Sequence, residues 1–163
     1  METNILNIEK LEAAIHNGYI HKNKHPKTDL WIYNYTQSAQ YESYWTKETL
    51  QCRGLILDAN YNIIANPIGK FFNVEEIGYE NLPNLPFKIF DKMDGSLGVL
   101  YWLNNQSYIA TRGSFNSKQS IRANELLNSK YIHCIQNLDL NKTYVFEFIY
   151  PDNRVIVDYG QDE

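Results

Sequence analysis

Short runs of apolar residues dominate the chain, and their β-branched and aromatic character predicts strands rather than long helices. Asn, Asp and Gly residues separate several of these runs, which predicts antiparallel hairpins. The segments expected to form strands are residues 30–36, two runs within 51–67 around a turn at 59–62, then 87–90, 97–102, 108–111 and 143–150.

Helical spacing of apolar residues appears at two places. Near the amino terminus it predicts a helix that Thr3 and Asn4 can cap and Gly18 can end; its apolar positions are Ile5, Leu6, Ile8, Leu11, Ala14 and Ile15. Residues 117–134 predict a second helix, whose buried side is expected to be Ile121, Leu126, Leu127, Tyr131 and Ile135. Residues 39–50 favour a weaker helix or loop, and the basic residues 21–27 a polar loop. The sequence therefore predicts an α+β fold, with antiparallel β-sheets and flanking helices in one domain over residues 1–163.

Composition and charge narrow the class of protein. The chain has 163 residues, of which 44% are hydrophobic and 14% aromatic, as in a globular domain. A formal net charge of -4 argues against non-specific coating of nucleic acid but permits a local basic cleft. Cys52 and Cys134 lie far apart, which indicates neither a disulfide framework nor a zinc site. No signal-like or membrane-spanning run is found, so we expect no membrane partner and a reducing compartment, most simply the cytoplasm.

The strongest chemical signal is FDKMDGSLG at residues 90–98. Apolar residues on both sides predict strands, which would place Asp94 and Gly95 in a hairpin-like turn and Lys92 at the mouth of a sheet. A lysine amine with the reference pKa near 10.4 is neutral in only about one molecule in two thousand at pH 7. Partial burial and neighbouring cations make such an amine reactive. Lys92 is therefore a candidate nucleophile, although a short motif of this kind also occurs by chance around ordinary surface lysines.

Four cations lie at predicted strand ends or turns of this acidic chain: Arg53, Lys70, Lys92 and Arg112. Gathered on one side of a sheet, they would suit a triphosphate and would activate Lys92. Taken singly, Arg53 and Lys70 are also explained as surface charges that flank strands. Glu147 alternates to the same face as Val145 and Ile149, so it must face either an open, solvated sheet surface or a polar site.

Several motifs resemble, in order and approximate spacing, the amino-terminal part of the phage-type ATP-dependent RNA ligases. These enzymes belong to the covalent nucleotidyltransferase superfamily, which also contains DNA ligases and mRNA-capping enzymes. The matching motifs are WIYNY at 31–35, CRGLILD at 52–58, KFFN at 70–73, KMDGSLG at 92–98, RGSF at 112–115 and FEFIYPDNRVIVDY at 146–159. The KFFN and YPDNRVIVDY motifs are more similar to RNA ligases than to DNA ligases or capping enzymes, and use of GTP in place of ATP would favour the capping enzymes.

The resemblance implies a role for each matching residue. Lys92 would attack the α-phosphate of ATP to form lysyl-AMP, the AMP would pass to an RNA 5′-phosphate, and an RNA 3′-hydroxyl would then seal the strand. Gly95 would let the nucleotide sugar approach the backbone beside Asp94. The remaining implied contacts are Arg53, Lys70 and Arg112 with phosphates or RNA, Phe72 beside the nucleotide, and Glu147 with the ribose or, through water, with Mg²⁺ or Mn²⁺.

The chain departs from the family pattern at its carboxy-terminal end. No residues can be assigned to the family's fourth motif, which bears a metal-associated glutamate, or to its fifth, K-x-K. We therefore expect an incomplete nucleotidyltransferase domain whose open sheet edge favours self-association. Two functions stay open: the adenylyltransferase portion of an RNA ligase, and a non-catalytic remnant that binds nucleotide or RNA.

Overall fold

The computed structural model describes residues 6–160, and within them the chain forms two antiparallel sheets with helices on their outer faces. The helices are α1 (Ile8–His16), α2 (Gln37–Tyr41), α3 (Lys47–Gln51), α4 (Val74–Ile77), α5 (Lys118–Ser129) and α6 (Ile132–Ile135). The strands are β1 (Ile20–Lys24), β2 (Leu30–Tyr35), β3 (Arg53–Asp58), β4 (Ile63–Ala65), β5 (Ser96–Leu103), β6 (Gln106–Thr111) and β7 (Tyr144–Phe148). The α+β class expected from the sequence is confirmed.

The two sheets are built from different parts of the chain, β1–β4 forming one and β5–β7 the other. The first sheet has the order β1-β2-β3-β4 and the second the order β6-β5-β7, and every pairing in both is antiparallel. The predicted hairpins are present as β3–β4 and β5–β6. In the β5–β6 turn, Asn104 and Asn105 have φ angles of 52° and 62°, which asparagine tolerates better than most residues.

Three apolar clusters show that the sheets and helices form four layers. The outer face of the first sheet packs on α1 through Leu11, Tyr33 and Leu55. The two sheets face each other through a cluster that includes Ile32, Ile56, Val99, Tyr101 and Ala110. The outer face of the second sheet packs on α5 and α6 through Leu100, Ile109, Leu127 and Phe148. Alternate residues of each central strand thus point to opposite clusters, as the period of a strand requires.

Both predicted helices begin or end differently from expectation. Thr3 and Asn4 lie outside the described residues, and α1 begins at Ile8 after Asn7, whose side-chain oxygen accepts the Lys10 N–H at 3.0 Å. Gly18, with φ 78°, follows the end of α1 as expected. The predicted helix over residues 117–134 is wrong in extent, because α5 ends at Ser129 and α6 is separate. Its buried side is also partly wrong, because Ser120, Ala123 and Leu127 are buried whereas Ile121 and Tyr131 are exposed.

Two further expectations about secondary structure are wrong. Residues 21–24 of the expected loop 21–27 belong instead to the edge strand β1, which pairs with β2, whereas residues 25–27 lie outside any strand. Residues 82–95 contain no strand, so Asp94 and Gly95 do not lie in a hairpin turn. Phe87, Ile89 and Phe90 are 83%, 86% and 79% exposed, and no described strand pairs with them. Apolar composition favoured a strand here, but a strand needs a partner for its backbone hydrogen bonds.

Candidate active site

A β-bulge at Gly54 directs Arg53 into the space between the sheets. Tyr33 pairs with Leu55, but the next residue, Asn34, pairs with Arg53, so Gly54 is the extra residue of the bulge. Gly54 has φ 90°, a value that favours glycine. Ile32 belongs to the cluster between the sheets and Asn34 lies on the same face, and directly paired residues share a face. The bulge therefore turns Arg53 inward, whereas regular alternation from Leu55 would turn it outward.

The second sheet brings Arg112 to the same place. A Cβ added at Gly54 would lie 3.0 Å from Val99 Cγ2, a tight contact, and 3.6 Å from the Arg112 backbone, an ordinary one, so β3 passes close to both β5 and the residue that follows β6. Burial lowers the pKa of Arg53 and repulsion from Arg112 lowers it further, while Tyr35 and Glu147 oppose the shift. Two guanidinium groups close enough to repel each other favour an anion between them.

Lys70 joins these cations through a group of aromatic rings. Its side chain is only 10% exposed, and its ammonium lies 4.2 Å from the ring centroid of Phe72 and 5.6 Å from that of Trp45. The ammonium also donates to the Phe71 carbonyl at 2.7 Å, and the Phe71 ring lies 5.0 Å from the Arg53 guanidinium. Tyr35 completes the group, because its ring contacts both Trp45 at 5.3 Å and the Arg112 guanidinium at 5.5 Å. Arg53, Lys70, Arg112 and Phe72 thus lie in one neighbourhood.

Glu147 lies on β7 at the open end of the same space. It pairs with Leu97, which packs against the cluster between the sheets, so the Glu147 side chain points to the inner face. The Glu147 carboxylate is exposed and accepts the Gly95 N–H at 3.2 Å. The register therefore places Glu147 on the inner face of the second sheet, and because the side chain is also exposed, a solvated sheet surface and a polar site both stay predictions for it.

Gly95 is fixed against β7 by close packing. A Cβ at Gly95 would overlap the Phe148 carbonyl oxygen, and a Cβ at Gly98 would overlap the Phe148 ring. Asn153 strengthens this junction: it is buried, its side-chain oxygen accepts from the Ser96 hydroxyl at 3.0 Å, and its amide donates to the Phe148 carbonyl at 2.9 Å. Any larger residue at Gly95 therefore requires a backbone shift of β7, whereas at Gly98 it requires the Phe148 ring to move.

Asp94 connects the same stretch to the carboxy-terminal residues. Its carboxylate accepts the backbone N–H groups of Ile156 at 2.7 Å and Val157 at 2.8 Å, and its own N–H donates to the Tyr159 hydroxyl at 2.9 Å. The bonds from Val157 and Ile156, aided by attraction from Lys92, lower the pKa of Asp94. The implied direct contact of Asp94 with a nucleotide stays a prediction, because in this structure the carboxylate binds the protein's own backbone.

Asp94→Asn is expected to lower stability in a pH-dependent way. A carboxylate whose pKa is lower in the folded state stabilises the fold above its unfolded pKa of about 3.9, and that contribution disappears as the pH falls through the folded value. The variant should therefore have a lower Tm than wild type at pH 7, and the difference should shrink below about pH 4. Thermal unfolding between pH 7 and pH 3 measures this. Asp91→Asn, which changes an exposed residue of the same segment, is the control. An equal pH-dependent effect in Asp91→Asn would contradict the stabilising role given to the Asp94 carboxylate.

Lys92 lies in the segment that leads to β5 and is exposed. The partial burial expected for it from the sequence is therefore wrong, because no strand forms over residues 87–90 to cover it. Lys92 is attracted electrostatically to Asp94, two residues later. The structure thus brings Arg53, Lys70, Phe72 and Arg112 into one neighbourhood and places Glu147 within electrostatic range of Arg53. Glu147 in turn bonds the Gly95 N–H, and Lys92 lies three residues before Gly95 in an exposed segment.

Sequence reasoning missed several residues of this neighbourhood. Tyr35, Asn153 and Tyr159 lie within motifs that carried the resemblance, so their position was a signal, although no role was assigned to them. Trp45 gave no signal, because its contact with Lys70 depends on how the loop between α2 and α3 folds back on β2. The amide oxygen of Asn34 is buried without a hydrogen-bond partner among the described residues, so it is a free acceptor on the same face as Arg53.

Three further features of the described residues concern metal ligands, cysteine thiols and membrane-spanning helices. No group of three or more His, Cys, Asp or Glu side chains within residues 6–160 is arranged to hold a metal ion. Cys52 is buried and Cys134 exposed, and both are free thiols. No helix in the same part of the chain is long and apolar enough to cross a membrane.

Comparison with known proteins identifies the family. The sequence profile described as RNA ligase matches residues 51–163. A protein named "Putative bifunctional polynucleotide kinase/RNA ligase" from Autographa californica nuclear polyhedrosis virus is 28% identical over 190 residues, which cover 96% of this chain and 27% of that protein. An RNA ligase of Rhodothermus phage RM378 is 26% identical over 193 residues, which cover 93% and 42%. The chain spans less than half the length of either relative. Since the profile covers more than half of the sequence, the chain belongs to the RNA ligase family.

Proposed function

We propose that this chain is the ATP-dependent adenylyltransferase portion of an RNA ligase, with Lys92 as the nucleophile. The observation that carries the proposal is the convergence of Arg53, Arg112 and Glu147 in the space between the sheets, beside the Gly95 backbone. A local group of cations in an acidic chain is suited to a polyanion. Membership of the RNA ligase family makes ATP and RNA ends the substrates to test first.

In the proposed first step, the Lys92 ammonium loses a proton to solvent and the resulting neutral amine attacks the α-phosphate of ATP; the nitrogen loses a further proton to solvent as the phosphoramidate forms. A nitrogen–phosphorus bond forms, the bond from the α-phosphorus to the bridging oxygen breaks, and pyrophosphate leaves with that electron pair. An RNA 5′-phosphate then attacks the lysyl-AMP phosphorus and regenerates the amine. Finally an RNA 3′-hydroxyl attacks the activated 5′-phosphate and AMP leaves, which seals the strand.

The neighbouring residues have distinct proposed roles. Arg53, Lys70 and Arg112 bind phosphate oxygens and stabilise charge that develops during transfer. Phe72 offers a ring face beside the nucleotide, and Gly95 leaves room for the sugar. Lys92 lies in an exposed segment without helix or strand, which is compatible with a nucleophile that must move between ATP and RNA.

Glu147 is the residue that would hold Mg²⁺ or Mn²⁺. Mg²⁺ in nucleotide sites uses one or two carboxylates, substrate phosphates and several waters, so a single exposed carboxylate fits it without a protein-only cluster. One Glu147 oxygen already accepts the Gly95 N–H, which leaves the other carboxylate oxygen available through water. When bound, the ion would neutralise triphosphate charge.

A non-catalytic remnant that binds nucleotide or RNA is the second candidate. The arrangement of Arg53, Lys70 and Arg112 among aromatic rings favours this candidate, because it suits binding of a phosphate or a base whether or not Lys92 reacts. Labelling with ATP and with GTP, each carrying a radioactive α-phosphate, separates the candidates. A covalent label from ATP supports the ligase, a label from GTP points to capping chemistry, and reversible binding without any label supports the remnant. Sealing of single-stranded RNA in preference to a nicked duplex then supports an RNA ligase over a DNA ligase.

The cytoplasmic location of the protein stays a prediction.

We further propose that the chain self-associates through the exposed apolar residues of segment 87–90 and the edge of the second sheet. Among the described strands β7 pairs only with β5, which leaves its other edge unpaired, and Phe87 and Ile89 are exposed. The sedimentation coefficient should rise with protein concentration, and Ile89→Ser should weaken this rise. Ile121→Ser, which changes an exposed isoleucine of α5, should not. A monomer at every concentration would contradict this proposal.

A further inference from the structure

A cleft of about 610 Å³ lies at the opposite end of the second sheet from Gly95. It is bordered by the β5–β6 turn, the end of α5, and α6; the lining residues used below are Trp102, Gln106, Tyr108, Asn128, Ile132 and Gln136. Ser96 pairs with Phe148 at one end of β5, whereas Leu103 pairs with Gln106 at the other. Seven steps of about 3.3 Å separate these ends by roughly 23 Å, so the cleft is distinct from the candidate active site.

The lining combines apolar and aromatic side chains with neutral amides. None of the eleven described residues that line the cleft is charged, and four of them, Asn105, Gln106, Asn128 and Gln136, carry a carboxamide. The absence of lining cations disfavours a phosphate as the bound group. Carboxamides both donate and accept hydrogen bonds, as the edge of a nucleobase requires, while Trp102 and Ile132 offer apolar contact to its faces.

Two of the carboxamides are held in place before any ligand binds. Gln106 accepts the Tyr108 hydroxyl at 2.8 Å, and Asn128 donates to the Asn124 carbonyl at 2.7 Å. Fixed side chains lose less entropy on binding than free ones. The indole N–H of Trp102 is buried without an acceptor among the described residues, so this end of the sheet carries an unsatisfied donor.

We propose that this cleft binds one unpaired, unstacked nucleobase of an RNA strand whose end occupies the candidate active site. The inference rests on the proposed function in one respect, that RNA is the substrate. Single-stranded RNA is typically recognised by stacking of splayed bases on aromatic or apolar side chains and by hydrogen bonds to their edges. The cleft would then add affinity for single-stranded over duplex RNA at a distance from the reacting ends.

The test compares binding of a short, unstructured single-stranded RNA to wild type, Gln136→Ala and Gln40→Ala. Gln136 lines the cleft, whereas Gln40 is an exposed glutamine of another short helix, α2, and serves as the matched control. Loss of one or two hydrogen bonds should weaken binding of the single strand by about five- to tenfold in Gln136→Ala. Gln40→Ala should bind like wild type, and a fully paired RNA duplex should bind equally to all three.

Crosslinking provides a second measurement that needs no variant. The same RNA carrying 4-thiouridine should crosslink to peptides that contain residues 128–140. Unchanged affinity of Gln136→Ala together with crosslinks confined to other peptides would overturn the inference, as would preferential binding of an apolar peptide by the cleft. Lysyl-AMP formation is scored separately by mass. A chain that forms the AMP adduct but shows no crosslink in the cleft refutes only this inference, and the reverse result refutes only the proposed adenylylation.

Discussion

Lys92→Ala is expected to abolish covalent transfer of AMP to the protein while leaving the fold intact. Lys92 is exposed and contributes to none of the three apolar clusters, so its truncation should change Tm little. Removing the nucleophile should lower labelling from ATP carrying a radioactive α-phosphate by at least about 1000-fold. Lys92→Arg should fail equally, because a guanidinium keeps the charge but stays protonated.

The matched control for Lys92→Ala is Lys88→Ala. Lys88 is an exposed lysine four residues earlier in the same segment, so its replacement removes an equal charge without removing the proposed nucleophile. Labelling of Lys88→Ala should match that of wild type. Normal labelling of Lys92→Ala, or equal loss in both variants, would show that the covalent bond forms elsewhere or that only the charge of the segment matters.

Gly95→Ala is expected to impair both stability and adenylylation. The added Cβ would overlap the Phe148 carbonyl oxygen, which is backbone and cannot rotate away, so β7 must shift. Overpacking of this kind costs about 1–3 kcal/mol. The shift would also displace Glu147 from the Gly95 N–H, and a displacement of about 1 Å can lower a rate about 100-fold. Urea unfolding and the labelling rate measure the two effects.

Gly113→Ala is the control for Gly95→Ala. A Cβ at Gly113 would meet only the Asn34 Cβ, at an ordinary contact distance of 3.8 Å. The free energy of unfolding of Gly113→Ala should therefore stay within about 0.5 kcal/mol of wild type. If Gly95→Ala were equally harmless, the close approach of β5 and β7 would not be a requirement of the site.

The hairpins were predictable from the sequence because their signals are local. Alternating apolar residues around Asn104 and Asn105, or around residues 59–62, specify both the strands and the turn between them. Lys92, Arg53, Lys70, Arg112 and Glu147 were found in the same way, as polar or charged residues at the ends of, or within, otherwise apolar runs. The catalytic and binding roles of these residues stay predictions.

Contacts between distant parts of the chain were not predictable. The bulge that turns Arg53 inward lies where β2 and β3 pair, and Gly54 there lies close to Val99 and Arg112, which are far away in the sequence. Residues 87–90 have a strand-like composition. Whether they form a strand depends on a neighbouring strand to pair with, and none pairs with them among the described residues. Asp94 resembled a turn residue, whereas its carboxylate binds backbone N–H groups more than sixty residues later.

The most direct test of the central claim is the intact mass of the wild-type protein after incubation with ATP and Mg²⁺ or Mn²⁺. We predict an increase by the mass of one adenylyl group (AMP less water), reversed by pyrophosphate and located on Lys92 by peptide mapping. An adduct at another lysine would contradict the assigned nucleophile. No adduct under conditions in which ATP binding is measured would contradict adenylylation by this chain and leave the nucleotide-binding remnant as its function.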